Sequence, residues 1–199
     1  MGVFLYWPNM IGYSRIVLMV VSVRTALWRW QLSIGCYLLS FALDGVDGMA
    51  ARKLNQTSRL GSVLDMVTDR CATATLLMVL SALNPAYMPG AAAMMALDMS
   101  SHWTHMYRSR AHHKAVAADT NILLRAYYGC KPLFMGAIVS AEAFYVLLYV
   151  RHWVGAGEGA RALRWALRAA TPGWLLKQVV NTAQLCSALA DIATNDAAP

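Results

Sequence analysis

The stretch Leu43-Asp44-Gly45-Val46-Asp47-Gly48-Met49-Ala50-Ala51-Arg52, followed by Gly61-Ser62-Val63-Leu64-Asp65-Met66-Val67-Thr68-Asp69, sets four carboxylates inside two long apolar runs. The runs extend roughly from 31 to 52 and from 60 to 83, each close to the ~20 residues that a helix needs to cross a bilayer. Asp44 and Asp47 are three apart and share one helix face; Asp65 and Asp69 are four apart and share a face of the next. The connection, with Asn55, Gln56, Thr57 and Ser58, is short enough for an antiparallel hairpin. Such a hairpin brings the four carboxylates together at the ends of the second and third spans. Carboxylates at membrane depth are costly and mark function.

The rest of the chain fits the same setting. Of 199 residues, 58% are hydrophobic and 14% charged, with a mean hydropathy of +0.43. A soluble domain carries about 25% charged residues, so an all-α integral-membrane protein is favoured over a very apolar soluble helical one. Further runs from about 10 to 29, 87 to 107, 131 to 153 and 172 to 193 bring the expectation to about six transmembrane helices. The length suits one membrane-embedded domain over 1–199. The run from Ile11 follows almost no basic residues and no clear cleavage site, so it reads as a retained span rather than a signal peptide.

Breaks between spans fall at Asn84-Pro85 and Pro89-Gly90, and at Gly129 with Pro132. Thr171-Pro172-Gly173 reads as the start of the last span, with Thr171 as N-cap and Pro172 at the first helical position. Arg161, Arg164 and Arg168 mark 154–170 as a separate interfacial amphipathic helix. The tail from Asp191 is short and polar and is expected to fray. Arg52, Lys53, Arg59, Arg108, Arg110, Lys114 and Arg125 outnumber the bases of the other side, which places them and both termini in the cytosol.

The formal charge is +7. The bases lie mostly between apolar runs, which suits anionic headgroups and a phosphate-bearing ligand rather than nucleic acid. Cys36, Cys71, Cys130 and Cys186 stand singly in apolar surroundings, with no zinc or disulfide pattern.

Four clustered carboxylates cannot all stay ionised without cations. Oxygen donors of this kind suit Mg²⁺ or Mn²⁺, and two ions can share them. Such ions stabilise charge on a transferring phosphoryl group. Arg52 adds a fixed cation suited to phosphate, and Gly48 and Gly61 let backbone approach a ligand. Buried salt bridges to Arg52, Lys53, Arg59 and Arg70 would also seat the acids, but isolated pairs do not need two glycine-flanked carboxylate couples.

The pattern Asp44-x₂-Asp47-Gly48-x₂-Ala51-Arg52-x₈-Gly61-x₃-Asp65-x₃-Asp69 resembles the signature of the CDP-alcohol phosphatidyltransferases, with every fixed position filled. The resemblance implies a six-helix membrane fold with a polar cavity open to the cytosol, and metal binding by Asp44, Asp47, Asp65 and Asp69. It implies that Asp69 takes the proton of the attacking hydroxyl, and that Gly48, Arg52 and Ser58 contact the CDP part of CDP-diacylglycerol. It also suggests a homodimer. Residues 7–15, 51–56, 64–73, 97–103 and 142–149 are similar to eukaryotic members that take myo-inositol as acceptor, which suggests the endoplasmic reticulum, with Golgi or another endomembrane open. Residues 24–30, rich in Arg and Trp, depart from that likeness.

The signature reads the CDP donor and not the alcohol, so glycerol phosphate, serine or choline acceptors stay open. So does a non-enzymatic divalent-cation carrier, although Arg52 and the glycines suit a phosphate ligand better. Asp98, in mid-span beside Ser100, Ser101 and His102, either lines an inositol pocket or bonds to helix neighbours. His102 and His105 have metal-capable spacing but no third ligand. Arg125 and Lys131 suit a phosphate or a headgroup, and Glu142 has no role from sequence.

Overall fold

A computed structural model describes residues 2–111, 121–154 and 157–196. Among the described residues the chain is all-α. Short 3₁₀ turns at Val3–Leu5 and Pro85–Tyr87 accompany seven α-helices: α1 (Trp7–Thr25), α2 (Trp30–Lys53), α3 (Arg59–Leu83), α4 (Met88–Ala111), α5 (Ile122–Gly129), α6 (Lys131–Trp153) and α7 (Glu158–Asp196). Six are long and α5 is short, in line with about six spans. Helices α2, α3 and α6 are long and apolar enough to cross a membrane by length and composition alone. The other long helices carry polar residues, such as Arg15 and Arg24 in α1 and Asp98, Ser101 and His102 in α4. His112, His113 and Lys114 lie outside the described residues.

Burial is inverted relative to a soluble bundle. Arg15, Ser22, Ser33, Ser40, Asp47 and Thr68 are buried, while Val17, Val20, Leu38, Leu39 and Met78 are exposed. Lipid tails are as apolar as these side chains, so membrane helices associate through small and polar residues and turn their apolar faces outward. This is an integral-membrane all-α fold.

The chain divides into two compact units, Met1–Met88 and Pro89–Pro199. In the first, α1 packs against both α2 and α3. Ser22 Oγ donates to the Ser33 carbonyl at 2.9 Å where α1 meets α2. The expected hairpin is corrected in one respect: α2 and α3 are joined through α1 rather than packed along each other. Their polar ends still meet, because α1 supplies a common partner.

In the second unit α6 packs against α7, and Leu124, Tyr127, Ala137 and Val180 form a buried cluster with α5. Three expectations fail here. Residues 158–196 form one 39-residue helix, so Thr171 and Pro172 start nothing and Arg161, Arg164 and Arg168 belong to the same α7. The Thr171 hydroxyl bonds back to the Leu167 carbonyl at 2.8 Å. Gly173 lies so close to Ser140 of α6 that a Cβ would collide with it, and Trp174 stacks on Phe144 at 4.6 Å. This packing holds the helix through the proline, whose missing N–H would otherwise break it. The tail is also helical to Asp196, tied by an Arg108 Nε–Asp191 ion pair at 2.7 Å.

Candidate active site

The four carboxylates converge on one side chain that spacing arguments did not single out. Arg15, in the middle of α1, is 2% exposed. Its Nη1 donates to Asp47 Oδ2 at 2.9 Å and to Asp65 Oδ1 at 3.0 Å. Its Nη2 pairs with Asp44 Oδ1 at 2.8 Å and donates to Asp69 Oδ1. The planar guanidinium carries donors in a fixed fork, and a single Arg can therefore serve several carboxylates. The acids are more open than their partner: the Asp44 and Asp65 side chains are 34% and 48% exposed. Arg15 thus closes the inner side of the cluster, and the carboxylates open away from it.

Asp44, Asp47 and Asp65 each offer an oxygen, all within 4.8 Å of one another. All-oxygen donors suit a hard divalent cation. The residues present fit the metal. Asp69 joins the set through Arg15 and also faces Arg70, whose Nη2 lies 3.5 Å from Asp69 Oδ2.

Beside the cluster lies a cleft of about 220 Å³ lined by Asn9, Asp47, Gly48, Arg52, Ser58 and Gly61, among others. Its far wall is the α2–α3 connection. Asn55 takes a left-handed φ of 53°, which Asn tolerates better than most residues. That lets Gln56 N–H reach the Ala51 carbonyl at 2.9 Å and Asn55 N–H the Arg52 carbonyl at 3.4 Å, a Schellman closure of α2. Gln56 Oε1 then accepts from the Trp7 N–H at 2.9 Å, pinning the connection to the start of α1. Ser58 caps α3, its Oγ accepting from Gly61 N–H at 2.9 Å. A Cβ on Gly61 would stand 2.9 Å from Asn9 Oδ1 and 3.1 Å from Ser58 Oγ, so only glycine fits without displacing a wall of the cleft.

All seven residues expected from sequence fall in this one unit: Asp44, Asp47, Asp65 and Asp69 around Arg15, and Gly48, Arg52 and Ser58 along the cleft. Arg15 was missed, although an arginine within the run Ile11–Val23 is itself a functional signal. Asp98 is hydrogen-bonded within its own unit: Asn181 Nδ2 donates to its Oδ1 at 3.2 Å. His102 Nδ1 lies 2.8 Å from the Asp98 carbonyl.

A family model for the CDP-alcohol phosphatidyltransferases matches residues 5–167. The chain is 39% identical over 203 residues to a Homo sapiens protein named CDP-diacylglycerol–inositol 3-phosphatidyltransferase, covering 99% of this chain and 95% of that protein. A Candida albicans protein of the same name is 38% identical, over 98% of this chain and 85% of its own length. An Arabidopsis thaliana protein, named a probable CDP-diacylglycerol–inositol 3-phosphatidyltransferase 2, is 36% identical over 94% and 89%. No solved structure matches. With its eight signature positions gathered around one cluster and cleft, the chain belongs to the CDP-alcohol phosphatidyltransferase family.

Proposed function

We propose that this protein transfers the phosphatidyl group of CDP-diacylglycerol to myo-inositol, giving phosphatidylinositol and CMP. It is then a phosphatidylinositol synthase. The observation that carries this is full-length similarity to relatives bearing that name, together with an intact four-carboxylate cluster beside the cleft.

Asp44, Asp47, Asp65 and Asp69 hold divalent metal, Mg²⁺ or Mn²⁺ and two ions by this reading. Bound there, the metal neutralises the pyrophosphate and the charge that develops on departing CMP. Arg52 contacts the donor phosphates, and Gly48 and the Ser58 hydroxyl border the nucleotide. Asp69, whose Oδ1 accepts from Arg15 and whose Oδ2 lies 3.5 Å from Arg70 Nη2, accepts the proton of the attacking inositol hydroxyl, which requires Oδ2 within hydrogen-bond reach of that hydroxyl. The hydroxyl oxygen attacks the phosphorus attached to diacylglycerol, and the bond to the CMP oxygen breaks. The site faces the cytosol, the membrane is that of the endoplasmic reticulum, and the protein is a homodimer.

The test is CMP release by the full chain in detergent, given CDP-diacylglycerol and Mn²⁺ or Mg²⁺, with inositol, glycerol 3-phosphate or serine added singly. Release with inositol alone, yielding phosphatidylinositol, is expected. Release with another alcohol overturns the acceptor and keeps the chemistry; no release with any, in folded protein, overturns both.

A further inference from the structure

Four carboxylates drawn to within a few ångströms repel one another, and the partial exposure of Asp44, Asp65 and Asp69 screens that repulsion only in part. Left alone they would protonate or move apart. Among the described residues one side chain answers this at all four carboxylates. Arg15 reaches all four, two through each terminal nitrogen. It is 2% exposed, and its Nε is buried with no partner among the described residues. The carboxylates take the Nη1 and Nη2 donors, while the Nε N–H carries the cost of an unmade buried bond. Ser40 Oγ meets the Arg15 carbonyl at 3.5 Å, so the helix turn carrying Arg15 is itself fixed against α2.

We propose that Arg15 is a built-in counter-ion that keeps the metal site assembled before metal arrives, and that it does so by competing with the metal for the same carboxylates. It is a positioning residue, and it is not among the residues that line the cleft. This rests on the reading that the carboxylates hold metal. The consequence is an exchange: the site stays folded when empty, at the cost of weaker metal binding. A neutral residue at 15 removes both effects together, destabilising the metal-free protein and tightening the metal. A residue that merely packed α1 would affect stability equally with and without metal.

The experiment uses the full chain in detergent, unaltered and as Arg15→Gln and Arg15→Lys, with Mn²⁺ as the probe. Mn²⁺ affinity is read from loss of the free-ion paramagnetic signal, and thermal midpoints are taken with Mn²⁺ and with EDTA. For Arg15→Gln, the EDTA midpoint should fall well below that of the unaltered protein. The gap between EDTA and Mn²⁺ should widen, and Mn²⁺ should bind about tenfold more tightly, since a nearby positive charge is gone. Arg15→Lys, with a compact ammonium that cannot span four carboxylates, should fall between. Should Arg15→Gln fold only in Mn²⁺, that supports the proposal. Should it fold in neither, Arg15→Lys decides by the same two measurements. Equal or weaker Mn²⁺ binding in the variants, or an unchanged gap, overturns the role of Arg15. No Mn²⁺ binding by the unaltered protein overturns the metal reading first, and the proposal with it.

Discussion

Each unit buries a polar group of its own, and the two differ in how charge is balanced. Around α1–α3 four carboxylates share the guanidinium of Arg15, and Arg70 also pairs with Asp69. Between α4 and α7, one carboxylate is stitched into a chain: Lys177 Nζ donates to Asn181 Oδ1 at 2.8 Å, and Asn181 Nδ2 donates to Asp98 at 3.2 Å. Alongside it, Gln184 Nε2 donates to the Ser101 carbonyl at 3.2 Å and Tyr128 Oη donates to Gln184 Oε1 at 2.6 Å. The second group sets a lysine and a carboxylate on either side of Asn181 and joins helices, as intramembrane polar groups commonly do. The first carries surplus negative charge and therefore calls for an external cation. Polar burial alone does not mark a site; unbalanced burial does.

That contrast can be broken in several places. Chelation by EDTA should abolish turnover completely and reversibly, while the α4–α7 group is indifferent to it; full activity in EDTA would erase the distinction. Asp69→Asn should lower CMP release by about 10²–10⁴-fold, the range of a lost general base, with CDP-diacylglycerol binding kept. Retained turnover would remove Asp69 from that role. Asn181→Leu should instead cost about 1–3 kcal/mol of stability, because it leaves Asp98 and Lys177 short of a partner. Its turnover per folded molecule should stay within a few-fold, and a large kinetic loss would move this group into the chemistry. Arg52→Ala should raise the KM for the donor roughly tenfold, the loss of about one charge-assisted hydrogen bond, with little change in kcat; unchanged donor affinity would sink the assignment. Ser58→Ala should have the smallest effect, about 1 kcal/mol of stability through the lost cap of α3, read as a lower thermal midpoint.

The carboxylates were legible because helix periodicity turns spacing into direction: residues three or four apart must share a face, whatever surrounds them. The break at Asn84-Pro85 was legible because Asn84 accepts from the Ala86 N–H at 3.2 Å and proline follows, a purely local arrangement. What was missed is long-range. Arg15 stands 29 positions before Asp44, and nothing local couples them. The short α2–α3 connection suggested that those helices pack on each other, whereas α1 takes that place. Thr171-Pro172 carries every local sign of a helix start, and the contacts of Gly173 and Trp174 with α6 override it.

The length of α7 has a consequence for the membrane itself. Thirty-nine residues span about 58 Å, against a hydrocarbon core near 30 Å. Nearly half of this helix must therefore run in headgroups or water, or lie steeply tilted. Arg161, Arg164 and Arg168 all sit in its first half, before Pro172. One continuous helix then samples two solvents. A change in bilayer thickness or in anionic lipid content, acting on the arginine-bearing half, would reach the half that packs on α6 through the turn that carries Pro172.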